Sequence, residues 1–143
     1  MFGRRTICVT ATIDVDKVLV DTSVWIAFFR KSDPSYSILK NLLAEDRVCI
    51  VGLILAELMQ GAKSHKELDV LGEFVQAFEC LPDTPTFWKE AGKLSFCLRK
   101  SGRTVGLADC YLAIVARECG VAIFSLDKHF SLLEKESKVK LFR

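Results

Sequence analysis

The stretch VLVDTSVWIAFF, residues 18–29, decides how the rest of the chain is read. Three apolar residues run straight into Asp21, Thr22 and Ser23 follow, and then the apolar run resumes. VLV is short, β-branched and apolar, which predicts a buried strand. Thr22 or Ser23 is placed to cap a helix that VWIAFFR continues. Trp25 and Phe29 read as core. One carboxylate between two core-forming segments is ordinary at a strand end. It becomes informative if other acids stand in equally apolar surroundings.

Working outward, the same alternation recurs. DPS (33–35) starts a second helix, with Ile38, Leu39, Leu42 and Leu43 at helical spacing. VCIVG (48–52) predicts a second buried strand, and LILAELMQGAK a helix ending near Gly61. KELDVLGEFVQAF is amphipathic, and ECLP (79–82) reads as a short strand. DTPTFWKEAGKLSFCLRKSG has a cap, an early proline and a closing Gly102. GLADCYLAIVARECG is apolar nearly all round and predicts a buried helix. VAIFS (121–125) is a third clear strand, LDKHFSLLEK a turn and short helix, and KVKLF (138–142) a last strand. Continuously apolar strands alternating with helices predict an α/β fold, a parallel sheet of about five strands flanked by helices.

Composition sets the frame. The chain has 143 residues, half of them hydrophobic and 27% charged, which suits one globular domain rather than a disordered segment. Net charge is +2, so neither a nucleic-acid partner nor its absence follows from the total. No apolar run approaches the ~18 residues of a membrane span, and no membrane association is expected. The six cysteines form no C-x-x-C pair and sit mostly in apolar stretches, so they are expected to be reduced core thiols in a cytoplasmic protein. Residues 1–16 read as a leader, disordered or an artefact of start-site choice, and residues 17–143 as the domain.

The acids carry the chemistry. Ligand sites in open α/β sheets form at the carboxyl ends of strands. Asp21 and Asp127 both fall there. Glu57 and Asp109 lie inside apolar helices: Glu57 shares a stripe with Ile54 and Gly61, and Asp109 stands above Ala113 and Ala116. Each acid has a plain structural role open to it, as a strand-end cap, a paired glutamate, a helix-start acid or a turn former. All four standing in the least charged part of their neighbourhoods points instead to convergence. Converging carboxylates repel, and a hard divalent cation compensates them. Oxygen ligands suit Mg²⁺ or Mn²⁺ rather than Zn²⁺. His129 reads as a turn or surface residue. Thr22, Ser23 and Ser125 supply hydroxyls that could orient carboxylates or simply cap helices. An acidic divalent-metal site without a serine, cysteine or histidine nucleophile points to phosphoryl chemistry.

Four pieces, VLVDTSVWIAFFR, GLILAELMQGA, TVGLADCYLAIVA and VAIFSLDKHF, stand in this order over residues 17–135. Together they resemble the PIN-domain family, and within it the VapC-type toxin ribonucleases of bacterial toxin–antitoxin pairs. The resemblance implies that Asp21, Glu57, Asp109 and Asp127 are the catalytic acidic quartet. Asp21 and Asp109 would be core Mg²⁺ ligands, Asp127 would complete the metal site, and Glu57 would bind metal or position water. Ser23 and Ser125 match small polar positions of the family. It also implies endonucleolytic cleavage of RNA, a cognate antitoxin that enters the acidic groove, and a homodimer. The N-terminal leader and the six cysteines are not part of the family's pattern.

RNA requires cations for its phosphates. Candidates near the acids in sequence are Arg30, Lys31, Lys63, Arg103 and Lys128, each equally readable as a solvated surface charge. Two other folds end an early strand in aspartate. A phosphatase of the haloacid-dehalogenase type carries a second aspartate two residues on, where this chain has Ser23. A receiver domain has no counterpart of Glu57 and Asp109. A PIN fold that only binds a partner is the non-enzymatic alternative, and the complete quartet speaks against it.

Overall fold

The computed structural model describes residues 14–74 and 76–143. Most of the expected leader, residues 1–13, therefore lies outside the described residues. The elements run β1 (Val18–Val20), α1 (Thr22–Phe29), α2 (Ser35–Ala44), β2 (Val48–Ile50), α3 (Gly52–Gln60), α4 (His65–Phe74), β3 (Glu79–Cys80), α5 (Pro85–Lys100), α6 (Leu107–Cys119), β4 (Ala122–Phe124) and α7 (His129–Ser137).

The strands form one parallel sheet in the order β3-β2-β1-β4. All residues of β1 and β2 are buried, so helices cover both faces, as continuous apolar strands require. The chain moves from β1 through β2 to β3 on one side of β1 and returns with β4 on the other. The reversal opens a crevice at the carboxyl ends of β1 and β4. The register Val18↔Ala122, Leu19↔Ile123, Val20↔Phe124 brings the residues after both strands to the same edge.

The sheet has four strands where the sequence predicts about five. KVKLF contributes a single parallel bridge, Ile123↔Leu141. It is held by Ile123 N–H donating to Lys140 O at 2.9 Å and Phe142 N–H to Ile123 O at 2.7 Å. Lys138 is spent leaving α7 in a left-handed conformation, φ 66°. Arg143 turns back to Glu134 with two hydrogen bonds of 3.0 Å.

The helix ends follow their signals. Thr84 Oγ1 accepts Phe87 N–H at 3.1 Å, with Pro85 opening α5. Gly120 ends α6 at φ 73°, where a side chain would be strained. Most of α6 is buried, as its composition predicts, and it packs along α5. The α1 cap differs from expectation: Asp21 caps the helix, its Oδ2 accepting Ser23 N–H at 3.4 Å. Thr22 directs its hydroxyl elsewhere.

Trp25 is fully buried among Phe28, Phe74 and Phe78. Phe29 is not core: it stacks on the outside of this cluster against Trp25 and Phe74 and remains 46% exposed. One turn after Trp25, its position leaves one ring edge over a surface groove. The thiols also divide. Cys49, Cys110 and Cys119 are buried, whereas Cys80 and Cys97 are exposed, and these five are free. Among the described residues no helix is long and apolar enough to cross a membrane.

Candidate metal centre at the sheet edge

Asp21 follows β1 directly, and its N–H donates to Phe124 O at 2.9 Å, tying it to the end of β4. Its side chain is buried at 7% exposure. A buried carboxylate needs donors, and two serines supply them. Ser23 Oγ and Ser125 Oγ each donate to Asp21 Oδ2 at 2.8 Å. Each hydroxyl also accepts a backbone N–H from the loop after β4: Leu126 on Ser23 Oγ and Asp127 on Ser125 Oγ, both at 3.0 Å. The two serines thus fix the carboxylate and the loop that carries Asp127 in one network.

Asp109 sits in the first turn of α6, where the helix dipole favours an anion. Burial nevertheless pushes its carboxyl above the usual range, and the charges of Asp127 and Asp21 push the same way. His129 opposes the shift: its Nδ1 lies 3.2 Å from Asp109 Oδ2 and 3.4 Å from Asp127 Oδ1. Asp109, Asp127 and His129 each offer a ligand atom, all within 4.8 Å of one another. The sequence reads His129 as a turn or surface residue, and its ring is half exposed. The signal that it also meets the acids is its place two residues after Asp127 at the start of α7, where Asp127 Oδ1 accepts the His129 N–H at 2.9 Å.

Glu57, on α3, is half-buried. Thr22 Oγ1 donates to its Oε1 at 2.7 Å, which joins it to the residue beside Asp21. Asp21 and Glu57 stand outside the three-residue cluster of potential ligand atoms. The structure therefore groups the four acids unequally: Asp109 and Asp127 in close convergence with His129, Asp21 beside them in a hydrogen-bonded cradle, and Glu57 linked through Thr22.

Two cavities flank this edge. One, of about 510 Å³, runs from Thr22 and Glu57 past Ile26, Phe29 and Val70, with Arg30 and Lys63 on its rim. The other, of about 270 Å³, adjoins Ser125 and Asp127 and is closed by Leu141, Phe142 and Arg143, with Lys128 lining it. The remaining cations named from sequence lie apart. Arg103 pairs with Glu136 at 2.9 Å, and Lys31, beyond the end of α1, lines neither cavity.

The geometry invites comparison with known proteins. The sequence profile of the PIN domain matches residues 18–136. This chain belongs to the PIN-domain family. Within it, the chain is 31% identical to ribonuclease VapC1 of Methanocaldococcus jannaschii over 127 residues, covering 88% of this chain and 87% of that protein. It is 26% identical to ribonuclease VapC11 of Mycobacterium tuberculosis over 123 residues, covering 82% and 92% of the two chains. This PIN domain superposes on the structure of VapBC2 from Rickettsia felis bound to a promoter DNA fragment with a TM-score of 0.69 at 20% identity, over 87% of this chain and 96% of the other. At that identity the likeness speaks to the fold. The acidic edge of this PIN domain is where its switch-point topology places a site.

Proposed function

We propose that this protein is a metal-dependent endoribonuclease and the toxic member of a toxin–antitoxin pair. The observation that carries the reading is the convergence of Asp109, Asp127 and His129 beside the serine-held Asp21 at the switch point of the sheet. The ribonuclease names of its relatives support the choice of RNA.

The donor set fits a hard divalent cation. Carboxylate oxygens dominate it, and the upward push on Asp109 by burial and neighbouring acids marks negative charge that a cation would offset. Asp109 and Asp127 would hold Mg²⁺ or Mn²⁺, with Asp21 and His129 next to them. Such an ion, when bound, makes a water more acidic and draws charge from the phosphate oxygens. The chain's own residues do the rest. Ser23 and Ser125 keep Asp21 in one orientation, so no carboxylate rotation opposes substrate entry. Glu57, restrained by Thr22, stands at the mouth of the larger cavity to orient or deprotonate water. Arg30, Lys63 and Lys128 lie on the two cavities to meet the RNA backbone.

The larger cavity also suits the antitoxin. Ile26, Phe29 and Val70 are exposed beside Glu57, an apolar track leading to the acids. Apolar grooves of this kind take helices or extended peptides. An antitoxin segment lying there would cover the acids. The toxin–antitoxin proteins among the structures of similar fold support this partner. A homodimer would cover Trp88 and Phe96, the exposed aromatic residues of α5.

The test is to incubate the purified protein, free of antitoxin, with total cellular RNA and Mg²⁺ or Mn²⁺. Discrete cleavage that disappears with EDTA and with Asp21→Asn is expected. Absence of cleavage by folded protein with either ion, together with no metal binding, would overturn the reading in favour of a partner-binding PIN domain.

A further inference from the structure

Beyond Lys128, the smaller cavity takes no part in the metal site or the apolar groove. It is lined from Ser125 and Asp127 to Arg143 and shares no lining residue with the larger groove. Its walls are of two kinds. Phe130, Leu141 and Phe142 are apolar, whereas Ser131, Lys128 and Arg143 are polar or cationic. The walls are also held in place. Phe142 packs on Phe124 at 5.2 Å between ring centres and donates its N–H to Ile123 O at 2.7 Å. Arg143 is fixed by two hydrogen bonds of 3.0 Å to Glu134. Lys128 makes no ion pair among the described residues, so its charge is available to a ligand.

An apolar wall bearing an aromatic ring, with hydroxyl and cationic groups at its edge, matches one ligand chemistry: a nucleobase attached to a phosphate. The cavity's 270 Å³ falls just under the ~300 Å³ at which drug-sized pockets begin, which suits a single nucleotide. The larger groove is less suited to RNA alone. Its exposed surface is mainly aliphatic and aromatic, with Ile26, Phe29 and Val70 standing out.

We propose that the cavity between Asp127 and Arg143 receives the nucleotide adjoining the scissile phosphate and sets a base preference there. The inference rests on the ribonuclease reading. An RNA strand crossing the acids would place one nucleotide against Phe142 and Ser131, with Lys128 on its phosphate. The apolar track of Ile26, Phe29 and Val70 in the larger groove is then left for the protein partner, with Arg30 and Lys63 beside it for the RNA backbone.

The experiment uses the full chain, free of antitoxin, with cut sites mapped by sequencing product ends from total RNA. A short RNA containing one mapped site then gives kcat/KM. Ser131 is exposed on α7, so Ser131→Trp fills the cavity without disturbing the core. The expected result is a fall of about tenfold or more in kcat/KM, the size of losing one stacked base, with loss of base preference at one position beside the cut. Lys128→Ala should weaken binding of all sequences alike and flatten the salt dependence. Mn²⁺ affinity, measured by calorimetry, should stay at the wild-type value in Ser131→Trp. Wild-type kcat/KM and unchanged cut sites in Ser131→Trp would overturn the inference. So would a loss of activity that tracks a loss of Mn²⁺ affinity. Failure of the wild type to cut any RNA would instead remove the ribonuclease reading, and this inference with it.

Discussion

Ser125→Ala should loosen the site and the fold together. The Ser125 hydroxyl donates to a carboxylate that is 7% exposed, and its oxygen accepts the Asp127 N–H. A hydrogen bond to a charged group contributes ~1.5–3 kcal/mol. The lost N–H acceptor costs little, because that N–H is exposed and water replaces the hydroxyl. Ser23 still bonds Asp21, so the carboxylate is not stranded. The net loss is about 2 kcal/mol, or roughly 6–8 °C in Tm for a chain of this size. A double-mutant cycle with Asp21→Ala isolates the pair. Urea unfolding in EDTA, followed by tryptophan fluorescence, should give a coupling energy of ~1.5 kcal/mol or more. Mn²⁺ affinity should fall ~10–100-fold, as when an outer partner of a ligand is removed. A coupling under ~0.5 kcal/mol would refute the reasoning, since it would mean that the hydroxyl does not hold this carboxylate.

Asp109→Asn should abolish cleavage yet raise the Tm of the metal-free protein, because it removes a charge that burial and two neighbouring acids disfavour. Differential scanning calorimetry in EDTA reads the sign, and a lower Tm would contradict it. Burial pushes the Cys49 thiol up to about 12 and the Cys119 thiol to about 11. Iodoacetamide at pH 8.5 should therefore modify exposed Cys97 well before either, as peptide mass mapping would show. The same raised thiols add stability that is complete below the ordinary thiol range and is lost as pH climbs through about 11 to 12, which alkaline unfolding would detect. Trp25→Ala should cost ~3–5 kcal/mol by opening a cavity among Phe28, Phe74 and Phe78, measured by urea unfolding.

Much of this protein is legible in residue order because its strands are buried on both faces. VLV, VCI and AIF leave no place for polar residues, so Asp21 after VLV and Asp127 after AIF stand out as candidates. Asp109 stands out as a candidate because it interrupts the apolar first two turns of a mostly buried helix. The helix ends are equally local: Thr84 caps α5 through its own hydroxyl with Pro85 beside it, and Gly120 ends α6 through its own backbone.

The remaining features depend on distances that residue order does not encode. The sequence offers Thr22 or Ser23 as the α1 cap, but Asp21 caps it, and the Thr22 hydroxyl donates to Glu57, 35 positions along the chain. His129 looks like an ordinary turn residue until α6 places Asp109 beside it. Phe29 is apolar and core-like in sequence, but Trp25 and Phe74 already fill the interior, so its ring lies over the groove. The expected fifth strand is reduced to the single bridge Ile123↔Leu141, a length that residue order does not show. The sequence by itself determined which residues are apolar, where the helices begin and end, and which acids stand out. Only the tertiary structure decided which of them meet, because register across β1 and β4 brings together side chains about a hundred residues apart.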